Sequence, residues 1–242
     1  MPDILYYMAE TSKKENLTIG KIIFVLVYIL IFPTGLLFIS GNWLWLKGWI
    51  FNIWFIILCF GTIIYLYIKD PALLMERYKK PGEGGQKGWD VLAVYGIMIG
   101  FMAWIIIMPL DAKRYSWSPK FPLSITTLGF LLLLLASYFL FSALKDNTFA
   151  SNLVRIQKDR KQKTVSTGVY GIVRHPMYLG GVFLFLGAPL FLGSVYALII
   201  GILMTILLMA RITGEEKLLS SELEDYEAYR SKVKFRLIPF VW

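Results

Sequence analysis

The residues of this chain best suited to chemistry are few and close together. The stretch from Thr167 to Gly180 reads T-G-V-Y-G-I-V-R-H-P-M-Y-L-G and holds the only histidine of the sequence, His175, between Arg174 and Pro176. Pro176 restricts His175 to an extended backbone, and Gly168, Gly171, Gly180 and Gly181 let the backbone approach a ligand closely. One imidazole without a second His or a nearby Cys makes a poor metal site, so a polar contact to an organic cofactor is its better use. Further along, Arg211 and Glu215 are spaced i,i+4 and share one helix face. Such a pair suits a zwitterionic cofactor, with the carboxylate for its ammonium group and the guanidinium for an acidic group on the substrate. Glu216 points about 100° away and is expected to face water. No Ser-His-Asp set, P-loop or dinucleotide fingerprint is recognisable.

The elements that must position these residues are membrane helices. Of the 242 residues 57% are hydrophobic and 17% charged, against about 25% charged in an ordinary soluble domain. The net charge of +9 is spread through the loops between apolar runs, as positive-inside bias produces, and forms no patch for nucleic acid. Cys59 is the only cysteine, so no internal disulfide forms. Four spans are predicted, over 22–39, 43–68, 91–110 and 121–144. Residues 177–210 form a run of 34 without a charge; as one helix it would measure about 51 Å against a hydrocarbon core of about 30 Å. It is expected to fold back into a tight helical hairpin, bent at Gly187-Ala188-Pro189 and Gly193-Ser194.

Six spans place the N-terminus, residues 69–90, residues 145–176 and the tail on one side, with 21 of the 25 Lys and Arg residues. That bias puts both termini and the site on the cytoplasmic face. The fold class expected is therefore all-α: a multi-pass transmembrane helical protein with about six spans, a cytoplasmic cofactor pocket and an amphipathic C-terminal helix. Leu218, Leu219, Leu223 and Tyr226 mark the apolar face of that helix. Residues 1–21 are polar, with no cleavable leader and a short interfacial helix around Ile4–Met8. A surface helix is predicted from Ala72 to Tyr78, behind the stop at Asp70-Pro71. The run Lys158 to Lys163 reads as a solvated, headgroup-facing segment. The chain divides into 1–144, a polar segment with four spans, and 145–242, which carries the chemistry.

From about Asn147 onward the sequence resembles the isoprenylcysteine carboxyl methyltransferase family of integral membrane enzymes, in its bacterial form. The resemblance rests on N-L-V-R-I-Q, V-S-T-G-V-Y-G-I-V-R-H-P-M-Y-L-G-G, R-I-T-G-E-E-K-L-L and D-Y-E-A-Y-R-S-K-V-K-F-R-L-I-P-F, in that order. D-P-A-L-L-M-E-R also looks like bacterial members. The resemblance implies S-adenosylmethionine as cofactor, contacted by Tyr170, by His175, Pro176, Met177 and Tyr178, and by Glu215. Gln162, Lys163, Thr164 and Val165 fall where the family contacts the cofactor ahead of the T-G-x-Y turn, and Gln157 near a further contact. Arg211 matches the arginine that orients the substrate. Many relatives have His where this chain has Gln162, and Gln keeps the capacity to hydrogen-bond.

A sulfonium methyl is already electrophilic, so such a site mainly orients the acceptor and excludes water. A carboxylate acceptor needs no general base; an amine would, and only Glu215 or His175 could serve. The implied partners are membrane lipids and a lipophilic acceptor entering from the bilayer, with no metal and no nucleic acid. Two readings stay open beside carboxyl O-methylation: N-methylation of a phospholipid amine, and an NADPH-dependent reductase like the sterol reductases, which share an R-H-P-x-Y-like motif. A membrane scaffold without activity is the third alternative.

Overall fold

A computed structural model describes residues 19–242, with the side chains before Val27 and at Tyr28 and Ile29 left aside. The interfacial helix expected around Ile4–Met8 lies outside the described residues. Those residues contain helices, turns and loops, and no strand. We number the α-helices α1 (Ile19–Ser40), α2 (Leu46–Lys69), α3 (Pro71–Arg77), α4 (Gly88–Pro109), α5 (Leu123–Asp146), α6 (Pro176–Leu192), α7 (Val195–Glu222) and α8 (Tyr226–Lys232).

Four helical stretches are long and apolar enough to cross a membrane: Leu46–Lys69, Gly88–Arg114, Leu123–Asp146 and Val195–Glu222. The second continues α4 through one π-turn, Leu110–Arg114. Many of their large apolar side chains face outward, Leu46, Leu92 and Leu123 among the most exposed, which lipid accommodates and water would not. The chain is an integral membrane protein. The short surface helix is present as α3: Pro71 opens it, and the Asp70 carboxylate accepts from Leu73 N at 2.9 Å as its N-cap.

The uncharged run folds back, as α6 and α7. The break lies at Gly193, whose φ of +95° suits glycine, and at Ser194, whose Oγ accepts from Ala197 N at 3.0 Å. The chain does not turn back at the other expected position: α6 continues unbroken through Gly187-Ala188-Pro189. Pro189 leaves the carbonyl four residues back without its usual donor, and nearby apolar packing holds the helix in place. The tightest partner of α6 is α5 and not α7. A Cβ on Gly129 would run into the backbone of Phe191, one on Gly187 would come within 2.9 Å of Leu132 Cβ, and one on Gly180 within 2.9 Å of Leu140 N. Small residues let membrane helices approach this closely.

The core lies between α1, α2, α4, α5, α6 and α7, and includes Leu36, Phe51, Trp104, Met108, Leu133 and Ile212. One polar knot closes the end of the bundle away from the site. Asp111, fully buried, accepts from Ser118 N and Oγ and from Ser194 Oγ at 2.6 Å, and so ties the α4 turn to the hairpin. At the opposite end the start of α4, α3, the loop 147–175 and the tail meet, and there the candidate site is built.

Candidate active site

The loop 147–175 is held by arginines. Arg155, buried, grips the Glu76 carboxylate of α3 with Nε at 2.8 Å and Nη2 at 2.7 Å, and donates to the Gly84 carbonyl at 3.0 Å. Arg77 donates to the Ala150 carbonyl at 3.0 Å and reaches Met177 Sδ at 3.4 Å. Arg160 binds the Thr148 carbonyl and Gln157 Oε1, both at 2.7 Å. The basic run is thus only partly the solvated segment expected: Lys158 is exposed, but Arg160 is spent inside the loop. Burial pushes the Glu76 carboxyl up, and the hydrogen bonds and charges of Arg155 and Lys79 more than offset this, holding it below the usual glutamate range.

The turn before α6 is fixed from two sides. Gly168 has φ +58° and a Cβ there would sit on the Asp146 carboxylate, which accepts from Val169 N at 3.0 Å. The backbone N–H groups of Arg174 and His175 donate to the carbonyls of Phe235 and Arg236, each at 2.9 Å, and Tyr229 Oη donates to the Tyr170 carbonyl at 2.8 Å. The tail therefore lies across the R-H-P segment as a strap.

Glu216 is the centre of this strap and corrects a sequence expectation. It does not face water: it is 4% exposed. Arg174 Nε donates to its Oε1 at 2.7 Å, His175 Nε2 lies 3.2 Å from the same oxygen, and Arg236 Nε donates to Oε2 at 2.8 Å. The 100° turn from Glu215 was sound geometry, but the tail folds back onto that side of α7 and covers it.

Between loop, R-H-P segment and strap runs a cleft of ≈ 790 Å³, the space at its open mouth included. Nine of the twelve residues expected at the site line it: Gln162, Lys163, Thr164, Val165, Tyr170, His175, Met177, Tyr178 and Glu215. Three do not. Gln157 is buried, its Nε2 donating to the Phe149 carbonyl at 2.8 Å, and its own backbone N–H is bound by Gln162 Oε1 at 2.8 Å. Pro176 opens α6 beneath the cleft. Arg211 makes no ion pair with Glu215; it binds Asp90, which is fully buried, through Nε at 2.6 Å and Nη2 at 3.2 Å, and donates to the Asn152 carbonyl at 2.6 Å. Its guanidinium also lies over the Tyr178 ring, 5.6 Å from the centroid, one side chain behind the cleft wall.

Glu215 accepts from Tyr178 Oη at 2.6 Å. No Lys or Arg among the described residues pairs with it, so its carboxylate offers negative charge to whatever enters. Thr164 is set by Asp225, which accepts from its N–H at 3.1 Å and its Oγ1 at 2.6 Å. Tyr226 also lines the cleft, is 3% exposed, and has a hydroxyl with no hydrogen-bond partner. Burial, with Glu216 and Glu215 nearby, pushes that phenol up, so it stays a neutral donor. Sequence reasoning placed Tyr226 on an apolar face, and missed Asp90, Glu76 and Asp225 altogether. Asp90 gave the clearest signal, an acid at the head of a 20-residue apolar run.

A nucleoside-bearing zwitterion fits this donor set. The uncompensated Glu215 carboxylate matches an ammonium or sulfonium group, the Tyr226 hydroxyl and the Lys163–Val165 segment supply donors, and Leu218, Leu219 and Leu223 give an apolar wall. Among the described residues no group of three His, Cys, Asp or Glu could hold a metal ion.

A family model described as phospholipid methyltransferase matches residues 124–225. The protein-S-isoprenylcysteine O-methyltransferase of Schizosaccharomyces pombe (strain 972 / ATCC 24843) is 36% identical over 85 residues, 34% of this chain and 36% of that protein. The chain thus matches about a third of the length of that curated relative. The solved structure of the eukaryotic intramembrane Ras methyltransferase, isoprenylcysteine carboxyl methyltransferase, superposes with a TM-score of 0.44 at 18% identity, over 98% of this chain and 92% of that one. The family match takes in the R-H-P-M-Y segment, both helices of the hairpin and Glu215, so this part of the chain is similar to membrane methyltransferases, in line with the motifs.

Proposed function

We propose that the cleft binds S-adenosylmethionine and that the protein transfers its methyl group to a lipophilic acceptor, by carboxyl O-methylation of an isoprenylcysteine-type substrate. The observation that carries this reading is the Glu215 carboxylate, unpaired by any cation among the described residues, in a cleft lined by eight other residues at family cofactor positions. The bound cofactor supplies an activated methyl group. Glu215 and Tyr178 would hold its charged end, Lys163 to Val165 and Tyr170 would line it, and Tyr226 and Tyr229 on the inner side of the strap would exclude water. A carboxylate acceptor would need no general base, so no residue of the cleft would have to move a proton. His175, held by Glu216, keeps the R-H-P segment in register and is spared any role as base.

Arg211 enters as a positioning residue. Bound to Asp90 and stacked on Tyr178, it sets the back wall at the membrane edge and contributes positive potential toward an acidic acceptor. Residues 145–242 carry the reaction, and residues 1–144 supply the membrane frame. We place six spans in the bilayer, with α1 and α6 joining the four longer helices, and put both termini and the cleft on the cytoplasmic side, from positive-inside bias; a bacterial inner membrane suits the chain.

The test is calorimetric titration with S-adenosylhomocysteine of the detergent-solubilised protein, its His175→Ala variant and its Glu215→Ala variant. Micromolar binding to the wild type, lost in the variants, is expected. No binding to folded wild type, with NADPH bound instead, would point to a reductase. A second acceptor class has the phospholipid methyltransferase match in its favour. Supplying labelled S-adenosylmethionine with either an S-farnesylcysteine derivative or phosphatidylethanolamine separates the two; label in the farnesylated product alone is expected.

A further inference from the structure

A second cleft lies on the outer side of the strap, lined by Arg230, Lys234, Arg236, Phe240, Val241 and Trp242, with Arg174 at its floor. Its cations are largely uncommitted. Arg236 spends only Nε on Glu216 and rests over the Trp242 ring, 5.1 Å from the centroid. Among the described residues Lys234 Nζ forms no ion pair, and Arg230 makes one exposed contact with Glu227 at 3.3 Å. Arg174, buried, turns Nε and Nη1 inward to Glu216, Val233 and Lys234. The segment bearing these residues is anchored, since Leu237 is 1% exposed within the helix core and Phe235 and Trp242 pack against it. Phe240 and Val241 nevertheless stand 90% and 76% exposed, beside Ile238.

Uncommitted cations next to exposed apolar side chains, at the end of a helix bundle that spans a membrane, match one chemistry. A soluble phosphate would use the cations and leave the apolar rim in water; an acyl chain alone would leave the cations idle. We infer that this cleft binds the phosphate headgroup of an anionic phospholipid, with Arg230, Lys234 and Arg236 around the phosphate and Phe240 and Val241 against the acyl chains. The inference is independent of the cofactor, although Arg174 and Arg236 would carry the headgroup's charge to the Glu216 side of the active-site wall.

The full-length protein in a neutral detergent, titrated with phosphatidylglycerol and followed by native mass spectrometry, tests it. One saturable phosphatidylglycerol per protein is expected, with phosphatidylcholine failing to displace it. The Arg230→Gln/Lys234→Gln double variant should bind on the order of tenfold more weakly or worse, with unchanged S-adenosylhomocysteine affinity and an unchanged melting midpoint without lipid. Equal binding by the double variant, or displacement by phosphatidylcholine, overturns the site. Displacement by inorganic phosphate at matching concentration overturns the lipid assignment and leaves a phosphate site.

Discussion

Glu215 on α7 and Tyr226 at the start of α8 face the same cleft and make opposite demands on a ligand. The carboxylate needs a cation; the phenol needs an acceptor. Glu215→Gln keeps the shape and the Tyr178 hydrogen bond while deleting the charge, so S-adenosylhomocysteine affinity should fall by about 2 kcal/mol, a loss expected for a charged hydrogen bond. Tyr226→Phe removes a hydroxyl that bonds nothing in the protein. It should leave the melting midpoint unchanged or raise it, because an unsatisfied buried polar atom is costly, and weaken S-adenosylhomocysteine by about 1 kcal/mol. Calorimetry of the two variants reads both effects, and unaltered affinity in Tyr226→Phe would make that hydroxyl a bystander. Nine of the twelve residues expected at the site line the cleft, and they were legible because the R-H-P-M-Y stretch and the E-E pair are local motifs. Tyr226 was not, because its leucine-spaced position carries the same signal whether the ring packs on helices or roofs a pocket.

Among elements, the contact of α3 with the loop 147–175 responds to pH. Glu76 is held below the ordinary glutamate range by Arg155 and Lys79, so its folded pKa is depressed. Its contribution to stability is fully present above the unfolded value of about 4.3 and is lost as pH falls through the folded value. The melting midpoint should therefore drop below about pH 4, and Glu76→Gln should flatten that drop while lowering the midpoint at pH 7. The α5–α6 seam depends instead on the absence of side chains. Gly129→Leu would drive a side chain into the Phe191 backbone, at a cost of about 1–3 kcal/mol or more in overpacking, read as lost folded yield in detergent. The long apolar runs disclosed the helices themselves, since charge-free length is a direct signal of a span. The closeness of α5 to α6 was hidden, because a glycine in an apolar run reads equally as a bend or as a contact, and the bend expected at Gly187-Ala188-Pro189 was the wrong choice.

The whole molecule converges on Arg211, where three distant parts of the chain meet: Asp90 at the head of α4, the Asn152 carbonyl of the loop and the inner face of α7. No pattern in the sequence links residues 121 positions apart, so the family motif that includes Arg211 spoke of substrate, while its nearest partners are structural. The two roles separate by a double-mutant cycle. Removing one member of a buried pair leaves an uncompensated charge and costs about 3–5 kcal/mol, whereas replacing both members by apolar groups is often neutral. Arg211→Met should lower the melting midpoint sharply, and adding Asp90→Leu should restore most of it. If Arg211 only holds the bundle, methyl transfer should return with stability in the double variant. If it also orients an acidic acceptor, the refolded double variant should bind S-adenosylhomocysteine normally yet turn over at least tenfold more slowly. The second outcome is the one expected: the guanidinium sits over Tyr178, whose hydroxyl donates to Glu215.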